Sequence, residues 1–374
     1  MGVKNVNQNQ NVRDTNYVQI ASGQPKWASI NKHNKAQIHA ALTVQYTDTD
    51  NANPVTEFYE APLSGKTIGF HTAGYHTLRI DTPSAVPATV WVWGAGGGYG
   101  GSGGPDGGGG AGDGIRGTIS ATGPYVAIVG RGGFGFDNPS TATGSLAAKG
   151  WPDGGLSYWN DSTGKYGFGG GRSSFGAGPI PYANRDSASG PTAVSYLLIG
   201  GGGGGGSAHM DSGSIMGYAG RPSGEPGGGY YPSDGSAAVG GGGSQSAGGE
   251  GGTGGRNPDG VDGAMFFGGP GGTSYGGSGG GGGFYGGGGA AGFYAGGGGG
   301  SSHVAPGPAV SNDQNCPVSN YYTAGDDPGN PGTKPATAGD GGKVAYPAPS
   351  TNPVALGGPG GSDGCPGYIQ ITFN

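Results

Sequence analysis

Tyr196-Leu197-Leu198-Ile199 runs directly into an unbroken glycine tract, Gly200 to Gly206, and this junction decides how the chain is read. The same junction recurs where Val90-Trp91-Val92-Trp93 meets Gly94-Ala95-Gly96-Gly97-Gly98, and where Tyr125-Val126-Ala127-Ile128-Val129 meets Gly130-Arg131-Gly132-Gly133. Tyr368-Ile369-Gln370-Ile371-Thr372-Phe373 is a fourth apolar run of this kind. Short runs of branched and aromatic residues bounded by glycine read as strands. Four of them in glycine-rich surroundings are the ingredients of one small sheet whose strands feed glycine tracts.

Upstream, Lys66 to His71, Tyr75 to Asp81 and Ala88 to Trp93 are further β-rich runs, divided by turns at Ala73-Gly74 and Pro83-Ser84. A period of two puts Leu78 and Ile80 on one face with Thr82, and sets Val90 and Val92 opposite Trp91 and Trp93. His39 to Tyr46 alternates as a strand would, with a short helix over Ile30 to Leu42 as the alternative. The chain therefore divides into a polar N-terminal arm (1–60), a β unit (61–93, closed by a strand at 367–374) and a glycine-rich domain (94–366).

Of 374 residues, 98 are Gly and 28 are Pro, a share that without a collagen period points to low complexity. A flexible Gly/Ser linker would carry solvating residues between its glycines. Here many interruptions are aromatic pairs: Tyr230-Tyr231, Phe266-Phe267, Phe284-Tyr285 and Phe293-Tyr294. Glycine has another option, the extended left-handed helix with three residues per turn and no internal hydrogen bonds. Its N–H and C=O groups point outward in three directions, and without Cβ atoms its copies can approach closely enough to bond. Collagen needs Gly at every third position, a test that the unbroken runs Gly200 to Gly206 and Gly296 to Gly300 fail. Ordering a glycine costs about 0.5–1 kcal/mol more than ordering alanine. A net hydrogen bond returns about 0.5–1.5 kcal/mol. Such a lattice must be nearly complete and anchored by the β unit. The fold expected is all-β: a small antiparallel, jelly-roll-like sheet with an inserted bundle of polyglycine II helices and essentially no α-helix.

Several function classes receive no support. A net charge of −6 and no Lys/Arg-rich block give no footprint for nucleic acid. No stretch of 18 apolar residues spans a membrane. Met1 to Val12 lacks the apolar segment of a secretory signal, and Val6 stands where a myristoylation site takes Ser or Thr. The GxGxxG patterns arise by composition, with no helix pattern after them. Ser64-Gly65-Lys66-Thr67 ends like a phosphate-binding loop, but Glu60 occupies the place of its first glycine. The six histidines lack ligand spacing, and His71 and His76, flanking the Gly74 turn, read as a surface pair. Asp48 and Asp50 with Asn51, Asp326 with Asp327, and Asp106 with Asp113 read as solvated turns. No nucleophile–base set stands out. The expectation is a non-enzyme with no catalytic, cofactor or metal site. Cys316 and Cys365 lie outside CxxC spacing and are either a disulfide or two free thiols.

The aromatic pairs carry two readings, both open. Tyr230, Tyr231, Phe284, Tyr285, Phe293, Tyr294, Tyr321 and Tyr322 either cap and pack between glycine helices or form a recognition face for sugars or a neighbouring protein. Trp151, Tyr158 and Trp159 are a second candidate patch.

The transitions at Trp91 to Gly98 and Ile199 to Gly206, the runs 279–289 and 296–302, and the closing strand 367–373 resemble the glycine-rich module of anaplastic lymphoma kinase and its relatives, over about Gly65 to Asn374. That resemblance implies a jelly-roll-like sheet with inserted polyglycine helices; nothing here matches a kinase or a membrane anchor. The glycine tracts also resemble, less closely in strand pattern, the tail-fibre tip adhesins of T-even-like phages. The functional expectation is a structural protein of a virus or phage particle (minor capsid, vertex or fibre component), located in the virion and docked to neighbouring virion proteins through residues 1–60. Two alternatives stand beside it. One is a fibre-tip adhesin reading host-surface glycan or protein receptor through aromatic loops; the other is a cell-surface ligand-binding module.

Overall fold

The structure, a computed structural model, describes residues 40–48, 55–70, 72–100, 108–135, 150–158, 164–178, 195–209, 212–215, 238–253, 259–273, 277–292, 295–305, 311–316, 343–345, 354–356 and 363–374. The strands are β1 (Ala40–Asp48), β2 (Val55–Glu60), β3 (Thr67–Phe70), β4 (Gly74–Ile80), β5 (Val86–Trp93), β6 (Gly114–Ala121), β7 (Pro124–Val129), β8 (Gly164–Tyr166) and β9 (Ser173–Ala177). They continue with β10 (Ser195–Gly200), β11 (Ser207–His209), β12 (Ser212–Ile215), β13 (His303–Val304), β14 (Ser311–Cys316), β15 (Lys343–Ala345), β16 (Val354–Leu356) and β17 (Tyr368–Phe373). No α-helix occurs among the described residues, and the named strand pairs are antiparallel.

Two sheets hold most strands. One has the order β13-β10-β9-β7-β4-β1-β2 and the other β14-β6-β5-β17-β3. Alternation gives each sheet an inward apolar face. Leu42 and Val44 of β1 stand opposite Ile80 and Leu78 of β4; Val90 and Val92 of β5 stand opposite Ile371 and Ile369 of β17. These side chains join Ile115, Phe175, Leu198 and Phe373 in a single buried cluster drawn from both sheets. The result is a β-sandwich, in which each fully buried large apolar side chain contributes about 1.5–3 kcal/mol. On the other face of β5, Trp91 and Trp93 pack with Tyr368 as a separate cluster, so the expected division of Val90 and Val92 from the tryptophans holds.

Four expectations change. The strands form two large sheets and two small ones rather than one small sheet, with β6 and β9 joining the large two. Gly114-Ile115-Arg116-Gly117-Thr118-Ile119-Ser120-Ala121 hides its period among glycines, yet Ile115 and Ile119 are buried. The β unit begins at Ala40 rather than at residue 61, since β1 and β2 pair into the seven-stranded sheet. Strands within 94–366 also belong to the sandwich, so the glycine-rich stretch is not separate from it. His76 is no surface residue: it is 5% exposed, stacked on Tyr46 at 4.6 Å and tilted against Phe70 at 4.5 Å. His71 lies outside the described residues.

The glycine tracts leave the strand ends and bond sideways to one another with a period of three. In 286–291, Gly286 and Gly289 donate to Ala264 and Val261, Gly287 and Ala290 to Gly281 and Ser278, and Gly288 and Ala291 to Gly241 and Ala238. Each set is a different neighbouring tract. The same tract accepts from three more: Gly249 and Gly252 donate to Gly286 and Gly289, Gly269 and Gly272 to Gly287 and Ala290, and Gly298 to Gly288. A β-strand bonds to neighbours on two sides; this tract bonds on six. The tracts 167–172 and 200–206 bond in the same rotating pattern. Both polarities occur: Gly203 and Gly206 donate to Ala95 and Gly98 in parallel, whereas Gly202 and Gly205 donate to Gly282 and Gly279 in antiparallel.

Candidate functional site

The tract 167–172 delivers Arg172 to the start of β9, among residues of β10 and the glycine-rich loops. Its guanidinium lies against the rings of both Tyr196 and Phe266, 4.7 Å from each centroid. Nε donates to Asp153 Oδ2 (2.7 Å), Nη1 to Ser174 Oγ (2.9 Å) and Nη2 to the Tyr196 hydroxyl (3.1 Å). The Arg172 side chain is 2% exposed and that of Asp153 12%. Burial alone would lower the arginine pKa, but Tyr196 and Asp153 outweigh it and the net shift is upward. Arg172 is therefore a fixed cation, buried against two rings and held by three side-chain acceptors.

Outward from it runs an aromatic rim. Phe266, held at φ 72°, contacts Tyr196 (5.1 Å between centroids) and meets Phe284 edge-on at 6.5 Å. The Phe266 amide donates to the Phe284 carbonyl (3.1 Å), and the Gly283 amide donates to the Phe266 carbonyl (3.2 Å). Phe284 meets Tyr285 edge-on at 5.2 Å and lies flat on His303 at 3.8 Å, 13° off parallel. His303 Nδ1 is 3.1 Å from Gln245 Oε1, an acceptor that places the ring proton on Nδ1. The Tyr285 amide donates to Ser301 Oγ (2.9 Å). Half-burial of His303 lowers its pKa from the ordinary value. Beside the rim, Met265 bridges to Tyr285 and is 45% exposed.

Of the sequence candidates, Phe284 and Tyr285 fall here, both half-buried, so each packs on one side and faces outward on the other. Tyr230, Tyr231, Phe293, Tyr294, Tyr321 and Tyr322 lie outside the described residues. Trp151 is buried, with Tyr75 edge-on at 5.0 Å; Tyr158 is half-buried and Trp159 lies outside the described residues. The Cys316–Cys365 pairing cannot be read: Cys365 is 3% exposed, and Cys316 ends β14 opposite Gly114 with its side chain outside the described residues. Arg172, Asp153, Tyr196, Phe266 and His303 were not among the candidates. Two signals point to this set: Phe266 in the pair Phe266-Phe267, and a lone cation closing a glycine tract, Gly169-Gly170-Gly171-Arg172.

Among the described residues, no group of three or more His, Cys, Asp or Glu is placed to hold a metal ion, and no helix is long and apolar enough to cross a membrane. The arrangement offers a contact surface on a stiff base. No protein-family model matches the sequence, and no curated protein matches it either.

Proposed function

We propose that this chain is a non-enzymatic structural protein, its glycine tracts forming a polyglycine II bundle that stiffens a jelly-roll-like sandwich, and that it serves in a virus or phage particle. The observation that carries the reading is the rotating bond pattern of 286–291, whose amides serve three neighbouring tracts in turn. An extended three-residue helix without internal hydrogen bonds has this directionality. A body held by main-chain bonds in many directions resists bending and local opening, which suits a load-bearing particle component. It also suits a module like that of the anaplastic lymphoma kinase family, whose glycine-tract order the sequence resembles.

The test is particle incorporation. Antibody raised against residues 238–305 should decorate purified particles from the producing cells. A chain lacking residues 1–39, which keeps β1 and β2, should retain its unfolding temperature and fail to be incorporated. Full incorporation of that chain would end the assembly role of the arm; absence of label from particles would end the particle reading.

The adhesin reading has its own support in the rim, where half-buried Phe284, Tyr285 and His303 adjoin exposed Met265. Rigid aromatic side chains bind at low entropic cost. Binding of purified chain to host cells, lost in the Phe284→Ala/Tyr285→Ala variant, would favour it.

A further inference from the structure

The two sheets of the sandwich are unequal at one flank. The seven-stranded sheet ends at β2, the five-stranded sheet at β3. Between these edges lies a cleft of about 290 Å³, lined by Tyr46, Glu57, Tyr59, Thr67, Gly69 and His76 among others. Glu57 and Tyr59 of β2 are paired with Val44 and Leu42 of β1, and paired residues share a face. They therefore extend the inward face of the sandwich past the point where the opposite sheet stops. The floor of the cleft is an overhanging inner face with no strand above it among the described residues.

Among the described residues, the wall of the cleft is a sheet edge with no strand paired beyond it. The Phe373 amide donates to the Lys66 carbonyl (2.9 Å), and Ile371 and Ile369 stand opposite Ile68 and Phe70. In an antiparallel ladder the bonded pairs alternate. Lys66, Ile68 and Phe70 thus turn their main-chain groups to β17, while Thr67 and Gly69 turn theirs to the cleft. Both are exposed, small residues that leave the edge accessible. Natural edges are usually blocked by charge, proline or a bulge. Here the only ionised carboxylate of the lining, Glu57, sits on the other sheet and faces the space beside β3, with Tyr59 donating to it at 2.6 Å.

We propose that this cleft is a strand-receiving site, in which an extended peptide of a partner protein pairs with β3 through Thr67 and Gly69 and sets a lysine or arginine side chain against Glu57. Main-chain bonds to the edge supply affinity and the inward side chains supply selectivity. The incoming strand completes the short sheet over the overhang of β1 and β2. Residues on its inward face are apolar toward Tyr46 and basic toward Glu57; acidic ones are repelled.

The test uses the full chain, labelled for amide hydrogen exchange, and two capped heptapeptides, VTKTVTV and VTETVTV, whose odd positions put valine and the charged residue on one face. The basic peptide should bind saturably with a dissociation constant of about 1 mM or tighter. Exchange at Thr67 and Gly69 should slow about tenfold or more at saturation. Glu57→Gln should weaken the basic peptide about tenfold without improving the fold. Thr67→Pro, a change tolerated where an edge N–H faces outward, should abolish binding. Binding without slowed exchange at Thr67 and Gly69 would show mere charge attraction and overturn the proposal. Equal affinity for the acidic peptide, or no binding of either, would overturn it as well.

Discussion

The amide of Gly203 donates to the carbonyl of Ala95 at 3.0 Å, tying the tract that follows β10 to the tract that follows β5. Two strands from different sheets thus continue as parallel neighbours beyond the sandwich, and the apolar core and the glycine lattice become one cooperative body. The closeness of the tracts makes glycine obligatory there. A Cβ on Gly203 would stand 1.9 Å from the Gly110 carbonyl oxygen. Gly203→Ala should therefore destabilise the chain by about 3 kcal/mol or more, since main chain in a packed bundle cannot step aside as a side-chain tip can. Gly123→Ala is the control: a Cβ there meets nothing within 4 Å. It should be neutral or stabilise by about 0.5 kcal/mol by restricting the unfolded chain. Denaturant unfolding of the two variants measures both. Near-equal stabilities would mean that the tracts are not packed as described.

Arg172 should matter through its charge balance more than through its shape. Asp153→Asn leaves a guanidinium 2% exposed with no carboxylate beside it. Breaking a buried pair from one side costs about 3–5 kcal/mol. The double variant Arg172→Met/Asp153→Asn removes both charges and keeps apolar bulk against Tyr196 and Phe266. It should be more stable than Asp153→Asn alone. Equilibrium unfolding of wild type and the two variants gives the order, and a double variant no better than the single one would refute the charge argument.

The order in which these features could be read from the sequence follows from chemistry. Strand-to-glycine junctions such as Ile199 to Gly200 are legible because branched apolar runs and glycine have opposite conformational preferences. The strand β6 is not, because glycines at Gly114 and Gly117 interrupt the alternation that Ile115 and Ile119 would otherwise announce. β1 shows in the alternation of His39 to Tyr46, whereas β2 hides in polar surroundings, and only pairing with β4 reveals which face of β1 is buried. The rim was half legible. Phe284-Tyr285 stands out as an aromatic pair among glycines, but Arg172, Phe266 and His303 come from distant segments that only the lattice brings together. Which glycine faces which carbonyl leaves no trace in a string of identical residues.

His303 gives the rim a dependence on acidity. Its pKa is lowered by burial against Phe284, so the unfolded chain, titrating near 6.5, binds the proton more readily than the folded one. Stability from this group is fully present above about pH 6.5 and declines as pH falls through the lower folded value. The unfolding temperature should drop more steeply between neutral and mildly acid pH in the wild type than in His303→Phe, which keeps the stack and cannot titrate. Parallel curves for the two proteins would show that the stacked imidazole is not held neutral.

Tyr59 makes the opposite case at the alkaline end. Burial, then the hydrogen bond to Glu57, then the carboxylate charge raise its pKa from 10.0 to about 12. The unfolded phenol ionises first as pH rises, so its contribution is complete below about pH 10 and is lost as pH climbs toward the folded value. Glu57→Gln removes the carboxylate charge and weakens the acceptor, leaving burial as the remaining cause. The phenolate absorbance of Tyr59, isolated by difference against Tyr59→Phe, should then titrate at lower pH than in the wild type. An unchanged midpoint would mean that Glu57 does not hold the phenol proton, and the carboxylate would then be turned out of the cleft rather than facing the space beside β3.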